Sequence, residues 1–582
     1  MLAALAVLAA AAGQAAAADP ILPLSEVRPG MVGEARTVVR GTDIVRFPVT
    51  VIDVQRAADG PGGTQILARA EGPLITSTGG VAQGMSGSPV YVTGADGVAR
   101  VIGAVAHGTG DEANVLIGLT PIEQMIDSSE GQRALSRAPA PTGAARRMVR
   151  VPDRAAAVRL ERRRPDLIGT YPLARWTVSG ASPRLVGPLA RTLERSGIQL
   201  ASIGPRTPRP AVPLQPGASM SVLLAGGDLA LGAIGTVTYV DGAKVLAFGH
   251  PFLGGGRSRF LLGDSYVYEV IPAPITSTSY VYAEPGSLQG MIVADRFDGV
   301  TGMLGPVEAI DAVGTARDTA RGTESTVRAT LAPDDRTLPI MAGLLQDEPA
   351  VRVRDGMRRG TVTVHVSISS PALPKPIAYR NVYASAGDVV ALASGQAARL
   401  VAILGQNSIR EIPISAIRVD ERIQPGVRAA RILGASIRPR RVAAGGRAVL
   451  SLRVQPWRAT ALTLRVPVRI PAELGSGRAV LRVQPKSSGG FDPFPADLTQ
   501  NLGVSTAARR AEIARVERLA ERATGSRVER LVAGVRRATD DRNDAVLLLG
   551  PDDDAEDPTA GLTVPVPYVI YGGRAAARVI VR

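Results

Sequence analysis

The stretch Thr78-Gly79-Gly80-Val81-Ala82-Gln83-Gly84-Met85-Ser86-Gly87-Ser88-Pro89 places a serine in a glycine-dense turn between two β-like runs. Small residues on both sides of Ser86 leave its hydroxyl open to a substrate, and they let backbone N–H groups face a developing negative charge. Clusters of Gly, Ser and Pro also form ordinary turns. The turn alone therefore leaves both an active-site serine and a simple connection open.

Length and composition predict a mainly β protein of several domains. The chain has 582 residues, which is too long for one hydrophobic core. Its hydrophobic content of 45% is ample for burial, whereas aromatic residues reach only 3%. With 64 Gly and 44 Pro, the composition favours many short strands joined by turns.

The net charge of +15 comes almost entirely from arginine, because the only lysines are Lys244, Lys375 and Lys486. The arginines are scattered, and no basic stripe alternates with aromatic residues as in proteins that stack on bases. We therefore expect no nucleic-acid partner. One contiguous basic face would instead favour lipid or nucleic acid.

The N-terminus predicts export. Residues 1–18 form an Ala- and Leu-rich run that ends in small residues, which suits a signal peptide, and the run is short for a membrane span. No other segment has 18 uninterrupted apolar residues, so we expect no integral membrane span after signal cleavage, with a periplasmic or extracellular product. The sequence contains no cysteine, which excludes disulfides and a thiol nucleophile.

The pattern along the chain predicts six further segments after the signal peptide. Gly235 to Phe248 forms a hairpin signal around Asp241-Gly242, a pair suited to a type I′ turn, and Ser526 with Glu529 offers a capping box. The predicted segments are a strand-rich region with the serine (19–127), an Arg/Pro-rich linker (128–166), a β region with a histidine (167–380), a connecting segment (381–428), a β-sandwich (429–495), and a helical region with closing strands (496–582).

A serine nucleophile needs a base, and the chain offers three histidines. His250 ends a strand in a Gly-His-Pro turn, His107 follows the strand after Ser86, and His365 alternates with valines as a structural strand residue would. A carboxylate should orient the imidazole. Four acids remain eligible on the residues alone: Glu71, Asp53, Asp241 and Asp264. No spacing typical of a metal site or of a nucleotide cofactor occurs, so we expect neither.

Two blocks of the sequence resemble the SpoIVB-type serine peptidases, and Gly84 to Pro89 also resembles the nucleophile turn of chymotrypsin-like enzymes. The first block runs from Glu71 to Pro89 and on through Ile102 to His107. The second runs from Gly235 to His250, with further matches at Pro285 to Gly290 and Gly302 to Gly305. The resemblance implies a two-subdomain, chymotrypsin-like β-barrel unit.

The resemblance also implies roles for individual residues. Ser86 would be the nucleophile, His250 the base and the amides of Gly84 and Ser86 the oxyanion donors. The family's supporting aspartate lies fifteen residues before the serine, a position that Glu71 occupies here. His107 remains an alternative base and Asp264 an alternative acid.

This chain departs from the family pattern in the order of the blocks, which run serine-first and therefore look permuted. No PDZ-like segment is recognisable ahead of them. The prediction is an exported serine endopeptidase that acts on protein or peptide substrates and cleaves itself in the linker. The alternative is an inactive envelope scaffold that kept the fold.

Overall fold

A computed structural model of the chain describes residues 18–56, 64–111, 113–131, 146–195, 197–273, 278–354, 356–472, 475–487, 489–492, 506–540, 543, 545–551 and 560–582. The chain forms two compact units, unit 1 with Met1–Gly180 and Leu193–Ala309 and unit 2 with Ala181–Thr192 and Ile310–Arg582. Strands dominate the structure, which confirms the mainly β prediction.

The first half of unit 1 is a closed barrel of six antiparallel strands, paired in the cyclic order β1-β2-β3-β6-β5-β4. Alternating apolar residues such as Val49 and Val51 point into its core and are 1% and 2% exposed. The strands are β1 (Val32–Val38), β2 (Ile44–Arg56), β3 (Thr64–Ala70), β4 (Pro89–Thr93), β5 (Ala99–Thr109) and β6 (Leu116–Pro121).

A second closed barrel of six antiparallel strands follows, in the cyclic order β11-β12-β13-β16-β15-β14. Closure removes the exposed edges that an open sheet of this size would leave. The strands are β11 (Ser219–Gly227), β12 (Ala230–Asp241), β13 (Lys244–Ala247), β14 (Gly256–Ile271), β15 (Tyr280–Arg296) and β16 (Gly299–Leu304).

The hairpin predicted within Gly235 to Phe248 is confirmed as β12 and β13, but its turn differs from the expectation. Asp241 pairs with Lys244, so the loop is Gly242-Ala243. Only Gly242 of these two residues has a positive φ, which excludes a type I′ turn. The register of the strands, and not the Asp-Gly pair, decided which residues form the loop.

Shorter elements complete unit 1, and some lie where the composition predicts a linker. Within residues 128–166, β7 and α3 are regular structure, whereas residues 132–145 lie outside the described part. The carboxylate of Asp153 accepts from Ala156 N–H at 2.7 Å and caps α3. The elements are a 3₁₀ turn (Leu24–Glu26), α1 (Pro73–Ser77), α2 (Ile122–Ser129), β7 (Arg147–Arg150), α3 (Arg154–Arg163), β8 (Leu167–Pro172), β9 (Trp176–Ser179) and β10 (Leu200–Ile203).

Unit 2 begins with a mixed sheet and packed helices. Residues 310–380, predicted as part of the histidine region, belong here because β17 pairs in parallel with β21, about a hundred residues further on. The elements are α4 (Pro183–Glu194), β17 (Ile310–Asp318), β18 (Thr323–Leu331), α5 (Leu338–Arg352), β19 (Gly360–Ser369), β20 (Ile377–Ser385), α6 (Val389–Ala393), α7 (Gln396–Gln406) and β21 (Ala416–Gln424).

The predicted β-sandwich extends to the C-terminus. One sheet has the order β25-β24-β22-β30 and the other β23-β31-β26-β28-β29, and both contribute to one apolar core. The closing strands thus complete the sandwich, contrary to the predicted boundary at residue 495. The strands are β22 (Ala429–Arg438), β23 (Arg441–Val442), β24 (Arg447–Pro456), β25 (Leu462–Arg469), β26 (Gly477–Pro485), β27 (Phe491–Asp492, beside β20), β28 (Ala545–Pro551), β29 (Ala560–Val564), β30 (Val569–Gly572) and β31 (Ala575–Val581).

Two helices of unit 2 match the predicted helical region, and another stretch is apolar enough to be compared with a membrane span. α8 (Thr506–Glu521) precedes α9 (Arg527–Ala538), whose expected capping box of Ser526 and Glu529 is confirmed. The stretch Val389–Gln406, which includes α6 and α7, passes a length and hydropathy test for a span, but 67% of it is buried inside the protein.

Candidate active site

The serine turn lies between α1 and β4 and is fixed to both barrels. Ser86 O accepts from Thr236 N–H at 2.7 Å, and Gly87 N–H donates to Val105 O at 2.7 Å. Gly87 has a φ of 95°, and a Cβ at this position would lie 1.9 Å from Thr236 O and 2.6 Å from Phe248 N. Only glycine can occupy this position, because the turn backbone lies directly against the second barrel.

The hydroxyl of Ser86 is buried and has no hydrogen-bond partner among the described residues. The neighbouring hydroxyl of Ser88 instead donates to Met85 O at 2.7 Å. A buried hydroxyl without a partner costs about 1–3 kcal/mol. A buried hydroxyl of this kind calls for an explanation, and a role in binding or reaction would supply one.

His250 follows β13 at the face of the second barrel that meets the serine turn. Gly249 has a φ of 68°, and a Cβ there would lie 2.9 Å from the Cβ of Ala106 in the first barrel. Thr120 Oγ1 donates to Gly249 O at 2.6 Å. Phe248 also has a positive φ of 71°, which is a strained conformation for a bulky residue. The backbone is therefore bent to present His250.

One tautomer of His250 is selected by its hydrogen bonds. Nδ1 lies 2.8 Å from Pro251 O, and because a carbonyl can only accept, Nδ1 carries the proton. Nε2 is then the unprotonated acceptor, and it is buried without a partner among the described residues. This is the form of imidazole that can take a proton from a serine hydroxyl.

Burial keeps His250 neutral. Desolvation lowers its pKa to about 4, the Pro251 carbonyl opposes this shift, and the positive charge of Arg150 adds to it. Arg150 lies at the end of β7. Burial lowers the pKa of Arg150, and the negative charge of Asp298 opposes this shift. At neutral pH, His250 is therefore a base with an available lone pair.

The segments that carry Ser86 and His250 are in contact through the backbone of the two barrels. The serine turn contacts Thr236 and Phe248, and His250 lies two residues beyond Phe248. No hydrogen bond joins Ser86 Oγ to His250 Nε2 in this structure, since neither atom has a partner. One such bond would satisfy both atoms, and catalytic hydrogen bonds often tighten only when substrate binds.

His107, the alternative base, lies beside His250 with a ring-centroid separation of 6.4 Å. Gln65 Nε2 donates to His107 Nδ1 at 3.3 Å, so the neutral ring carries its proton on Nε2. Burial, Arg150 and His250 lower the pKa of His107 well below its usual range. His365 lies in unit 2, exposed and paired across the sheet with Asp420 and Arg380.

The four acids that the sequence left eligible to orient the histidine lie in other environments. Glu71 is exposed, and its backbone N–H donates to Pro48 O. The carboxylate of Asp264 accepts from Val212 N–H, Ser287 N–H and the amide of Gln289. Asp53 accepts from its neighbours Val54 N–H and Gln55, and Asp241 is exposed at the end of β12. Among the described residues, none of these four carboxylates is hydrogen-bonded to a histidine.

Of the two expected oxyanion donors, one is already occupied. Gly84 N–H donates to Leu173 O at 3.2 Å. Ser86 N–H makes no backbone hydrogen bond among the described residues. Ser86 N–H can therefore serve a developing oxyanion directly, whereas Gly84 would first have to leave its carbonyl partner.

Sequence reasoning missed Arg150, Asp295 and Asp298. Arg150 and Asp298 come from segments far apart in the sequence. Burial raises the pKa of Asp298 to about 6, opposed by Arg150. Asp295 binds the loop after His250 through four backbone N–H groups. The available signal was an acid directly after the apolar run Met291 to Ala294 and still within a strand, because a strand rarely buries a carboxylate without donors.

Comparison with known proteins identifies the first barrel. Residues 12–126 match the model of the SpoIVB peptidase S55 family. The chain therefore contains an S55 peptidase domain of the SpoIVB type over these residues, and this range includes the Ser86 turn and His107. His250 and the second resembling block lie beyond it. No curated protein and no solved structure gave a significant match.

Proposed function

We propose that the protein is a serine endopeptidase in which Ser86 is the nucleophile and His250 the general base. The observation that carries the proposal is the pair of buried, unpartnered atoms Ser86 Oγ and His250 Nε2 on contacting segments of two barrels. Two six-stranded antiparallel barrels, one carrying the serine turn and the other the histidine, also support a chymotrypsin-like arrangement with the blocks in serine-first order.

The proposed reaction is acyl transfer to Ser86. His250 Nε2 takes the hydroxyl proton as Oγ attacks the peptide carbonyl, and Ser86 N–H stabilises the oxyanion. The imidazolium then gives its proton to the leaving amine. Water, activated by the same Nε2, releases the acyl group. The carbonyl of Pro251 keeps the proton on Nδ1 throughout and so fills the orienting position that a carboxylate usually occupies.

Labelling with a fluorophosphonate probe tests the proposal. The wild-type protein should be labelled, and Ser86→Ala and His250→Ala should not. Ser88→Ala is the matched control, because its hydroxyl lies two residues away and is bonded to Met85 O. Equal labelling of wild type and Ser86→Ala would contradict Ser86 as the nucleophile.

Self-cleavage within residues 128–166 extends the proposal, supported by the Arg/Pro-rich composition of that segment. Purified wild-type protein should give fragments cut in this segment over time, and Ser86→Ala should not. Identical fragments from both proteins would show that another protease makes the cuts.

The second candidate function is an inactive envelope scaffold. It is favoured by the exposure of Glu71 and by the backbone carbonyl on His250 Nδ1, since no carboxylate holds the imidazole directly. A folded wild-type protein that neither reacts with the probe nor cleaves a peptide library would support the scaffold. Labelling that depends on both Ser86 and His250 would exclude it.

Export is part of the proposal and depends on residues 1–18, of which residues 1–17 lie outside the described part. Cleavage after Ala18 would release a mature protein beginning at Asp19. N-terminal sequencing of protein recovered from the periplasm or medium of the producing cells tests this. An intact Met1 on the recovered protein would contradict it.

A further inference from the structure

Asp295 lies in β15 and its carboxylate is fully buried against the loop that follows His250. Oδ1 accepts from Phe252 N–H at 2.8 Å, and Oδ2 accepts from Leu253 N–H at 2.7 Å and Gly254 N–H at 2.8 Å. Gly255 N–H is at the limit of the range, 3.5 Å from Oδ2. Burial raises the pKa of Asp295, and these N–H groups oppose that rise.

One peptide group links Asp295 to His250. The carbonyl of Pro251 accepts the Nδ1 proton of His250, and the N–H of the same peptide, at Phe252, donates to Asp295 Oδ1. The peptide is planar, so fixing its N–H also fixes the direction of its carbonyl. Hydrogen bonds in such a chain polarise one another, and an anion at the N–H end strengthens the carbonyl as an acceptor.

The other side of this peptide is held by aromatic packing. The ring of Phe252 stacks on Trp176 with centroids 4.8 Å apart, and it meets Phe260 edge-on at 5.2 Å. The loop therefore cannot rotate without breaking both the carboxylate bonds and the aromatic contacts.

We propose that Asp295 is the positioning acid of this site and that it acts on His250 through the Pro251–Phe252 peptide. The inference rests on the proposed function of Ser86 and His250. It accounts for a histidine with the catalytic tautomer but no carboxylate in direct contact. It also assigns to a residue in the second barrel the orienting role that the family resemblance implies for Glu71.

Substitution of Asp295 tests the proposal against a matched buried carboxylate. Asp264 is in the same barrel and binds two backbone N–H groups, but it does not contact the peptide that holds His250. At metal sites, loss of an outer partner that orients a ligating histidine typically costs about 10- to 100-fold, and we take the same range for the histidine here. We therefore expect Asp295→Asn and Asp295→Ala to lower the fluorophosphonate labelling rate by about this factor, and Asp264→Asn to change it much less.

The protonation of the two ring nitrogens of His250, measured by NMR, distinguishes a positioning role of Asp295 from a role in general stability. The chain has three histidines, so ¹⁵N-histidine labelling gives three pairs of ring resonances, assigned with His107→Gln and His250→Gln. In wild type, His250 should show a protonated Nδ1 and an unprotonated Nε2. In Asp295→Ala, or in Asp295→Asn if the alanine variant does not fold, both resonances should move toward the averaged values of a mixture of tautomers.

Two outcomes would overturn the inference. One is a folded Asp295 variant whose His250 resonances match wild type, and the other is an equal loss of labelling in the Asp264→Asn control. Failure of the proposed function gives a different result. In that case wild type is not labelled at all, and the ring resonances alone then decide whether Asp295 sets the tautomer.

Discussion

Replacement of Gly87 by alanine should both destabilise unit 1 and separate the two parts of the proposed active site. The substitution adds one methyl group at a residue with a φ of 95°. That group would overlap Thr236 O and Phe248 N, which are backbone atoms of the second barrel and cannot rotate away. The serine turn must therefore move away from the strands that carry His250.

The expected magnitude follows from two costs. An L-residue in the left-handed region costs about 1–2 kcal/mol. Forcing an extra methyl group into a packed contact costs about 1–3 kcal/mol more. Together they predict a loss of about 2–5 kcal/mol in the free energy of unfolding of unit 1. A displacement of about 1 Å at Ser86 would also lower the labelling rate by about 100-fold.

Gly97→Ala is the matched control for this prediction. Gly97 lies in the same barrel with a φ of 75°, but no atom lies within 4 Å of an added Cβ. The Gly97→Ala protein should therefore lose only the cost of placing an L-residue in the left-handed region, about 1–2 kcal/mol in the free energy of unfolding, and should keep the wild-type labelling rate.

The assay uses the two tryptophans of the chain. Trp176 lies in unit 1 and Trp457 in unit 2, so in a Trp457→Phe background the fluorescence during urea unfolding reports on unit 1. A Gly87→Ala protein that is no less stable than Gly97→Ala and is labelled at the wild-type rate would contradict this prediction. Close contact between the turn and the second barrel would then not hold in solution.

Three further predictions concern titration and the choice of base. The labelling rate should fall as the pH drops through about 4, where His250 takes up a proton, and Arg150→Met should move this loss to higher pH because the arginine charge lowers the pKa of His250. His107→Gln should be labelled at a rate within a few fold of wild type. If His250→Gln is still labelled and His107→Gln is not, His107 and not His250 is the general base. Burial raises the pKa of Asp347 to about 7 and that of Glu421 to about 8. The folded state therefore holds protons that the unfolded state releases, so unit 2 should lose stability as the pH rises from about 5 to 8, at up to about 1.4 kcal/mol per pH unit and proton. Urea unfolding followed by Trp457 fluorescence should show this slope, and Glu421→Gln should reduce it.

Local sequence patterns predicted those parts of the molecule that neighbouring residues decide. The glycines around Ser86, the β12–β13 hairpin and the capping box at Ser526 each depend on the conformational preferences of a few consecutive residues. The limits of the larger regions depend on pairing between distant strands. The β17–β21 pair and the C-terminal strands of the sandwich therefore fell on the wrong side of the predicted boundaries.

The sequence alone established which groups could react: Ser86 in a glycine-rich turn, three histidines and no cysteine. Tertiary structure decided which of these groups meet. Closure of the two barrels placed the segment with His250 against the serine turn and left Glu71 exposed. It also brought the loop after His250 to Asp295, which lies 40 to 43 residues further along the chain. The reason is physical, because a buried carboxylate is defined by the donors that surround it, and strands from different parts of the chain supply those donors.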